Sequence, residues 1–219
     1  TMANSHGFFS KVDRSDLDDE WKALLDVWYD RAYQDDNLFL TLVKRPGLLK
    51  AIYGFISYGL GGKRQSLIDP QLSELCRIRM AHNAKCQHWS VARIASVMRH
   101  GLTEEMVDKV RDYENTDLPE KTKMALRLVD KMAFDHLGMD DEFYAGLREH
   151  FSDDEIMDLG MMMGFTLGMQ RFVEAFGIRP DSWNENDACP WDPVASPSLT
   201  EWFNGEPNGR ETVLFDFGR

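Results

Sequence analysis

Residues 74–93 have the sequence ELCRIRMAHNAKCQHWSVAR and carry the densest group of reactive side chains in the chain. The group contains one carboxylate, two thiols, two imidazoles and three guanidinium groups. Asp69 followed by Pro70 predicts the start of a helix that carries the first half of this stretch. A break at 83–85 then separates it from a second helix, predicted over 86–99 and closed by His100 and Gly101.

Cys86 is predicted to begin that second helix, beside Lys85 and near His88. A helix N-terminus and nearby cations stabilise a thiolate, so we expect the pKa of this thiol to be lowered. Glu74, on the preceding helix, would orient His88 or take its proton across the helix–helix contact. The alternative is that Cys86 is a small buried apolar residue and His88 a solvated surface residue.

The chain is predicted to be helical up to residue 178. Apolar residues recur at helical spacing, and no strand-like alternation with hairpin turns is present. The predicted helices cover 16–33 (N-cap Ser15 or Asp16), 37–44, 46–60, a segment from Pro70, 86–99, a segment opened by Thr103, 118–136, 140–150 and 152–176. We therefore expect an N-terminal extension at 1–14 and one all-α domain at 15–178.

The segment 179–219 differs from the rest in composition. It contains five of the eight prolines, eight acidic residues and three basic ones. Proline and acidic residues alone are typical of disorder, but the tryptophans and phenylalanines of this segment favour an irregular arm. We expect the arm to pack on the helical body or on a neighbouring subunit.

The net charge of −12 makes a nucleic-acid partner unexpected. No apolar run is long enough to span a membrane, no export signal is recognised at the start, and three cysteines are too few for a disulfide framework. We therefore expect a cytoplasmic protein with no membrane partner.

Residues 63–99 carry a net charge of +5, opposite in sign to that of the whole chain, which favours a site for a small anion. Alternatively, these bases pair with the acidic ends of the chain.

The stretch resembles the AhpD-like, or carboxymuconolactone decarboxylase, superfamily. Glu74 precedes Cys86 by twelve residues and His88 follows, as in the redox branch of that superfamily. The flanking segments 67–75 and 100–107 and the segment 165–178 also fit, so the likeness covers about 38–178. The resemblance implies an AhpD-like helical bundle, a homo-oligomer (dimer, trimer or hexamer), and no metal or organic cofactor.

Two positions depart from the redox pattern. Trp89 replaces the second cysteine and Arg93 replaces the second histidine. Two-thiol chemistry needs a resolving thiol close to the first, and the sequence places neither Cys76 nor Cys189 to supply one. A metal site is not expected either, since the histidine and cysteine spacing matches no standard zinc signature.

The remaining candidates form a pocket. The predicted catalytic residues are Glu74, Cys86 and His88, and the predicted substrate-binding residues are Trp89, Arg93, Tyr58 and His82. The spacing of 86, 89 and 93 puts three of these on one helix face. An indole beside a guanidinium favours a planar anionic ligand.

The expected function is cofactor-free acid–base chemistry of the decarboxylation, lyase or isomerase type. Its substrate would be a small anionic molecule, aromatic or lactone in character. One alternative is a peroxidase that uses Cys86 alone with an external thiol. A second alternative is a non-catalytic oligomeric binding protein.

Gly160, Gly164 and Gly168 recur every four residues and would permit close helix packing, here between subunits, by analogy with membrane helices.

Overall fold

The computed structural model describes residues 7–23, 25, 37–60, 66–86, 89–90, 93, 97–98 and 101–178. All regular secondary structure in these ranges is helical, which confirms the all-α prediction. The helices are α1 (Asn37–Leu42), α2 (Pro46–Leu60), α3 (Pro70–Asn83), α4 (Glu104–Lys109), α5 (Glu120–Phe134), α6 (Asp141–His150) and α7 (Asp153–Ala175). Short 3-10 helices span Arg14–Asp16 and Val110–Asn115.

Side-chain caps explain where several helices begin. The Asp69 carboxylate accepts hydrogen bonds from the backbone N–H groups of Gln71 at 2.9 Å and Leu72 at 3.1 Å, and Pro70 occupies the first turn. Thr103 caps α4 in the same way. These side chains satisfy backbone donors that lack a partner inside the helix, which fixes the first residue of each helix.

The beginning of the first predicted helix differs from the prediction. Arg14–Asp16 form a 3-10 turn, so neither Ser15 nor Asp16 is the N-cap of the following helix. Asp18 takes that place, since its side chain accepts a hydrogen bond from the Trp21 N–H at 2.9 Å and helical structure begins at residue 19. The part of the predicted helix over 26–33 lies outside the described residues.

The described residues fall into two compact units, and the first contains residues 7–23, 25, 37–60, 93 and 175–178. Among its described residues, the Trp21 ring packs edge-on against Phe39, with ring centroids 6.1 Å apart. Phe9 packs on Phe176 with centroids 4.8 Å apart. Gly177 has a φ of +63°, as expected for the predicted glycine cap after the last helix.

The second unit contains residues 66–86, 89–90, 97–98 and 101–174, and α3 lies at its centre. Helix α3 packs on α5 through side chains that are almost fully buried. They include Leu72, Leu75, Ile78 and Met80 from α3, and Met124, Leu126, Leu128 and Val129 from α5. The burial of Leu159, Met163, Leu167 and Val173 adds α7 to this core.

A polar network around Asp130 also joins the elements of the second unit. The Asp130 carboxylate accepts two hydrogen bonds from Arg79, at 2.8 Å each, and one each from Asn83 and Tyr113. Burial raises the pKa of Asp130, but the three donors together outweigh burial and lower it below its usual value. The network therefore connects α3, α5 and the 3-10 helix Val110–Asn115.

None of the described helices has the length and apolar character that a membrane span requires. The predicted arm at 179–219 and most of the predicted extension at 1–14 before Gly7 lie outside the described residues. The domain boundaries at 15–178 and the homo-oligomer therefore stay predictions.

Candidate functional site

The end of α3 positions Cys86. Ala84 caps the helix and Lys85 adopts a left-handed conformation with a φ of +53°. The Lys85 N–H donates to the His82 carbonyl at 3.1 Å, and the Cys86 N–H donates to the Ala81 carbonyl at 2.8 Å. This pair of hydrogen bonds is the Schellman motif, which ends one helix and turns the chain at a fixed angle.

Cys86 then begins a new helical turn, as the sequence predicts. The Ser90 N–H donates to the Cys86 carbonyl at 3.0 Å, and Trp89 and Ser90 are helical. The Trp89 N–H donates to the Cys86 sulfur. Cys86 therefore occupies the N-cap position, with its sulfur in the place of a capping oxygen.

The expectation of a lowered thiol pKa is wrong. Burial is the largest influence and raises the pKa of Cys86 to about 12. The Trp89 N–H and the charge of Arg77 act in the lowering direction, whereas the Glu174 carboxylate accepts a hydrogen bond from the thiol and raises the pKa further. A helix start lowers a thiol pKa only where the thiolate is also solvated or paired with a cation.

Glu74 is fully buried and forms an ion pair with Arg77. The Arg77 Nε and Nη2 atoms lie 2.7 Å from the Glu74 Oε2 and Oε1 atoms, respectively. The Arg77 Nη1 atom also donates to the Trp89 carbonyl at 2.5 Å. Both Glu74 oxygens are therefore engaged, and the pair connects α3 with the turn that carries Cys86.

Gln170 of α7 is a second buried polar residue beside this ion pair. Its Nε2 atom donates to the Arg77 carbonyl at 3.2 Å, which joins α7 to α3. Its Oε1 atom is buried and has no hydrogen-bond partner in the structure. Glu174 lies four residues later in α7, one helical turn away, so the two side chains extend from the same part of the helix.

A pocket of about 420 Å³ lies beside Cys86, and its described lining residues all belong to the second unit. Its described lining residues are Arg79, Ala81, His82, Lys85, Cys86, Ser90 and Arg111. Three of them, Arg79, Lys85 and Arg111, are basic, and none of these described residues is acidic. The size falls within the usual range for a small-molecule site, and the lining favours a negatively charged ligand.

The structure brings some of the predicted site residues together. His82 and Cys86 line the pocket, while Trp89 contributes its backbone N–H and carbonyl to Cys86 and Arg77. Glu74 lies behind this site in its ion pair with Arg77.

Other predicted site residues do not join this group. Arg93 is not helical, so the predicted shared face with Cys86 and Trp89 is wrong, and Arg93 does not line the pocket. Tyr58, on α2 of the first unit, is 38 % exposed and does not line the pocket either. His88 lies outside the described residues. Within those residues, no group of three or more histidine, cysteine or acidic side chains is placed to hold a metal ion.

Arg77, Gln170 and Glu174 were not among the site residues predicted from the sequence, and neither were Arg79, Lys85 and Arg111 of the pocket lining. Arg77 follows Glu74 at a spacing of three, a pattern that favours an ion pair on a helix. Gln170 and Glu174 both lie in the segment 165–178 that resembles the family, but no local pattern links them to Cys86. Their distance along the chain hides the contact.

No protein-family model matches the sequence, and no curated protein is significantly similar to it. Solved structures do match the fold. An uncharacterised peroxidase-related protein from Ralstonia eutropha, described as an alkylhydroperoxidase AhpD core, has a TM-score of 0.67 at 19 % identity over 81 % of this chain and 93 % of that chain. An uncharacterised peroxidase-related protein from Silicibacter sp. has a TM-score of 0.67 at 17 % identity over 85 % and 98 %.

A third similar structure is a cysteine-to-alanine variant of the debrominase Bmp8 in complex with 2,3,4-tribromopyrrole. Its TM-score is 0.62 at 15 % identity over 87 % of this chain and 96 % of that chain. Identities this low carry information on the fold alone. The helical architecture and these structures confirm the resemblance at that level, and the chain has the AhpD-like helical fold.

Proposed function

We propose that this protein is a cofactor-free acid–base enzyme that acts on a small anionic organic substrate. In this proposal Cys86 is the general acid and Glu174 is its proton-relay partner. The observation that carries the proposal is the hydrogen bond from the buried Cys86 thiol, beside a pocket lined by bases, to the half-buried Glu174 carboxylate.

The pKa of Cys86 supports the role of an acid. With a pKa of about 12, only about one thiol in 10⁵ is ionised at pH 7. Such a thiol keeps its proton in water and gives it to a stronger base, for example the carbon of an enolate. A carbanion formed by loss of carbon dioxide from a bound carboxylate is a base of this kind.

The proposed step is the loss of carbon dioxide followed by protonation of the carbon. The bond between the substrate carbon and the leaving carboxylate breaks, its electron pair stays on the carbon, and the Cys86 proton moves to that carbon. The thiolate left behind is stabilised by the Trp89 N–H and the nearby charge of Arg77. Glu174 then passes a proton from solvent to the sulfur and restores the thiol.

A second candidate is redox chemistry at Cys86 alone with an external thiol. Two similar folds belong to peroxidase-related proteins, and the debrominase structure is a cysteine-to-alanine variant in complex with 2,3,4-tribromopyrrole. The Trp89 N–H would stabilise a thiolate or a sulfenate at Cys86. The raised pKa makes this candidate the weaker of the two, because a peroxidatic cysteine reacts as its thiolate.

The first test incubates the protein with unsaturated carboxylic acids and carboxylated lactones in D₂O. Proton NMR would detect deuterium incorporation or loss of the carboxylate. Once a substrate is found, we expect Cys86→Ala and Glu174→Gln to slow turnover by about 10²- to 10⁴-fold, the usual contribution of a positioned acid. Cys76→Ala, a buried cysteine whose raised pKa is attributed to burial alone, and Asp154→Asn, an exposed acid on α7, are the matched controls.

Turnover that survives both Cys86→Ala and Glu174→Gln would refute the acid–base assignment. Rapid peroxide consumption, with a sulfenic acid trapped at Cys86 and no turnover of any carboxylate, would instead support the redox candidate.

A further inference from the structure

We propose that Lys85 and Arg111 form an oxyanion-binding pair that holds the carboxylate or phosphate group of the substrate. The inference rests on the proposed function, because the pair lines the same pocket as Cys86. The pair specifies which residues recognise the substrate, and it specifies the chemical group that they recognise.

Arg79 also lines the pocket, but most of its N–H donors are already engaged. Its Nε and Nη2 atoms each donate to Asp130 at 2.8 Å. Its Nη1 atom donates to the carbonyls of Val110 at 3.1 Å and Arg111 at 3.0 Å. Arg79 is therefore a positioning residue that fixes the backbone of Arg111 at the edge of the pocket, while Asp130 balances its charge.

Lys85 and Arg111 differ from Arg79 in the use of their hydrogen-bond donors and in the balance of their charge. Their side chains are exposed, and neither forms an ion pair with a residue that the structure describes. They come from two different elements, the turn after α3 and the 3-10 helix, and lie on the same pocket. Two uncompensated positive charges in a pocket without a described acid favour an anionic group, even in a chain with a net charge of −12.

The backbone at Lys85 gives a second, independent argument. Its φ of +53° lies in the left-handed region, and this position of a Schellman motif is usually a glycine. A residue with a β-carbon is less stable there, so lysine costs stability that glycine would not. A lysine at this position is explained if its charge serves the pocket that it lines.

The arrangement also limits the substrate. The pocket volume of about 420 Å³ suits one small molecule, and Cys86 lines the same pocket as Lys85. A substrate whose oxyanion binds between Lys85 and Arg111 would thus present its remaining atoms to the Cys86 side of the pocket. The pair would bind the anionic group, and the Cys86 thiol would donate its proton to the carbon beside that group.

The test titrates benzoate and inorganic phosphate into the protein at low ionic strength and measures binding by calorimetry. The benzoate arm reports on carboxylates, and the phosphate arm on phosphates. We expect at least one of the two to bind, and Lys85→Gly and Arg111→Gln each to weaken its binding by about tenfold or more. Arg45→Gln, an exposed arginine outside the pocket, should bind as the wild type does.

Lys85→Gly has a second readout. Because glycine relieves the left-handed conformation, we expect this variant to melt about 2–4 °C higher than the wild type while it binds the anion less tightly. Unchanged affinity in both Lys85→Gly and Arg111→Gln, or no binding of either anion by the wild type, would overturn the proposal.

The two proposals fail in different ways. Glu174 does not line the pocket, so Glu174→Gln should bind the anion at least as tightly as the wild type. Anion binding that depends on Lys85 and Arg111, in a protein whose turnover does not depend on Cys86, would support this pair and refute the acid–base assignment. Turnover that depends on Cys86, with anion binding that does not change in the Lys85 and Arg111 variants, would support the acid–base assignment and refute the oxyanion-binding pair.

Discussion

The Cys86 thiol has a backbone N–H on one side and a carboxylate on another. The N–H favours the thiolate, and the carboxylate and burial favour the thiol. The two opposing influences come from different levels of structure. The N–H belongs to the local turn, whereas burial and Glu174 depend on the packing of α7 against the turn after α3.

Glu74 gives the residue-scale prediction. Because both of its oxygens accept hydrogen bonds from Arg77 and the carboxylate is fully buried, we assign it a structural role. Glu74→Gln would leave the Arg77 charge without its partner, and we expect the free energy of unfolding to fall by about 3–5 kcal/mol. Urea denaturation measures this loss.

The matched control is Glu105→Gln, which breaks the ion pair with Lys109 where Glu105 is 78 % exposed. That change should cost less than about 1 kcal/mol, because exposed ion pairs contribute little. If Glu74→Gln were as stable as the wild type and yet inactive, Glu74 would be part of the chemistry, as the sequence first suggested.

At the scale of the element, α3 carries the largest share of the site. The break after it was predictable from the sequence, but the residue that takes the left-handed conformation was not. Asn83 is a more usual choice than Lys85 for such a conformation, but its side chain donates to Asp130 at 2.8 Å. The hydrogen bond between Asn83 and Asp130 thus explains why Lys85 and not Asn83 takes the left-handed conformation.

The N-cap of α3 provides the element-scale prediction. Asp69→Ala removes the acceptor for two backbone N–H groups, and we expect a loss of about 1 kcal/mol in the free energy of unfolding. Asp69→Asn keeps a capping oxygen and should retain most of that stability. Equal melting temperatures for the alanine variant and the wild type would show that the cap does not stabilise α3.

At the scale of the whole molecule, the helices were more predictable than their contacts. Helix starts and ends depend on neighbouring residues, so Asp69, Thr103 and Gly177 identified them. The contact of Cys86 with Glu174 joins residues far apart in the chain, and spacing alone cannot find it. The concentration of bases in 63–99 did predict the character of the pocket, although Arg111 comes from outside that segment.

The glycine repeat on α7 belongs to the same scale. A β-carbon at Gly160, Gly164 or Gly168 would meet no described atom within 4 Å, and Met157 and Met161 on the same helix are 61 % and 66 % exposed. Their role in a subunit contact stays a prediction from the sequence.

The central claim is that Cys86 is a protonated acid held by burial and by Glu174. The most direct test labels the cysteine β-carbons with ¹³C and follows the Cys86 resonance with pH, in the wild type and in Glu174→Gln. We predict that the wild-type thiol stays protonated to at least about pH 10, and that Glu174→Gln ionises at a lower pH than the wild type. A Cys86 that is already a thiolate at pH 7, or whose pKa does not respond to Glu174→Gln, would contradict the account.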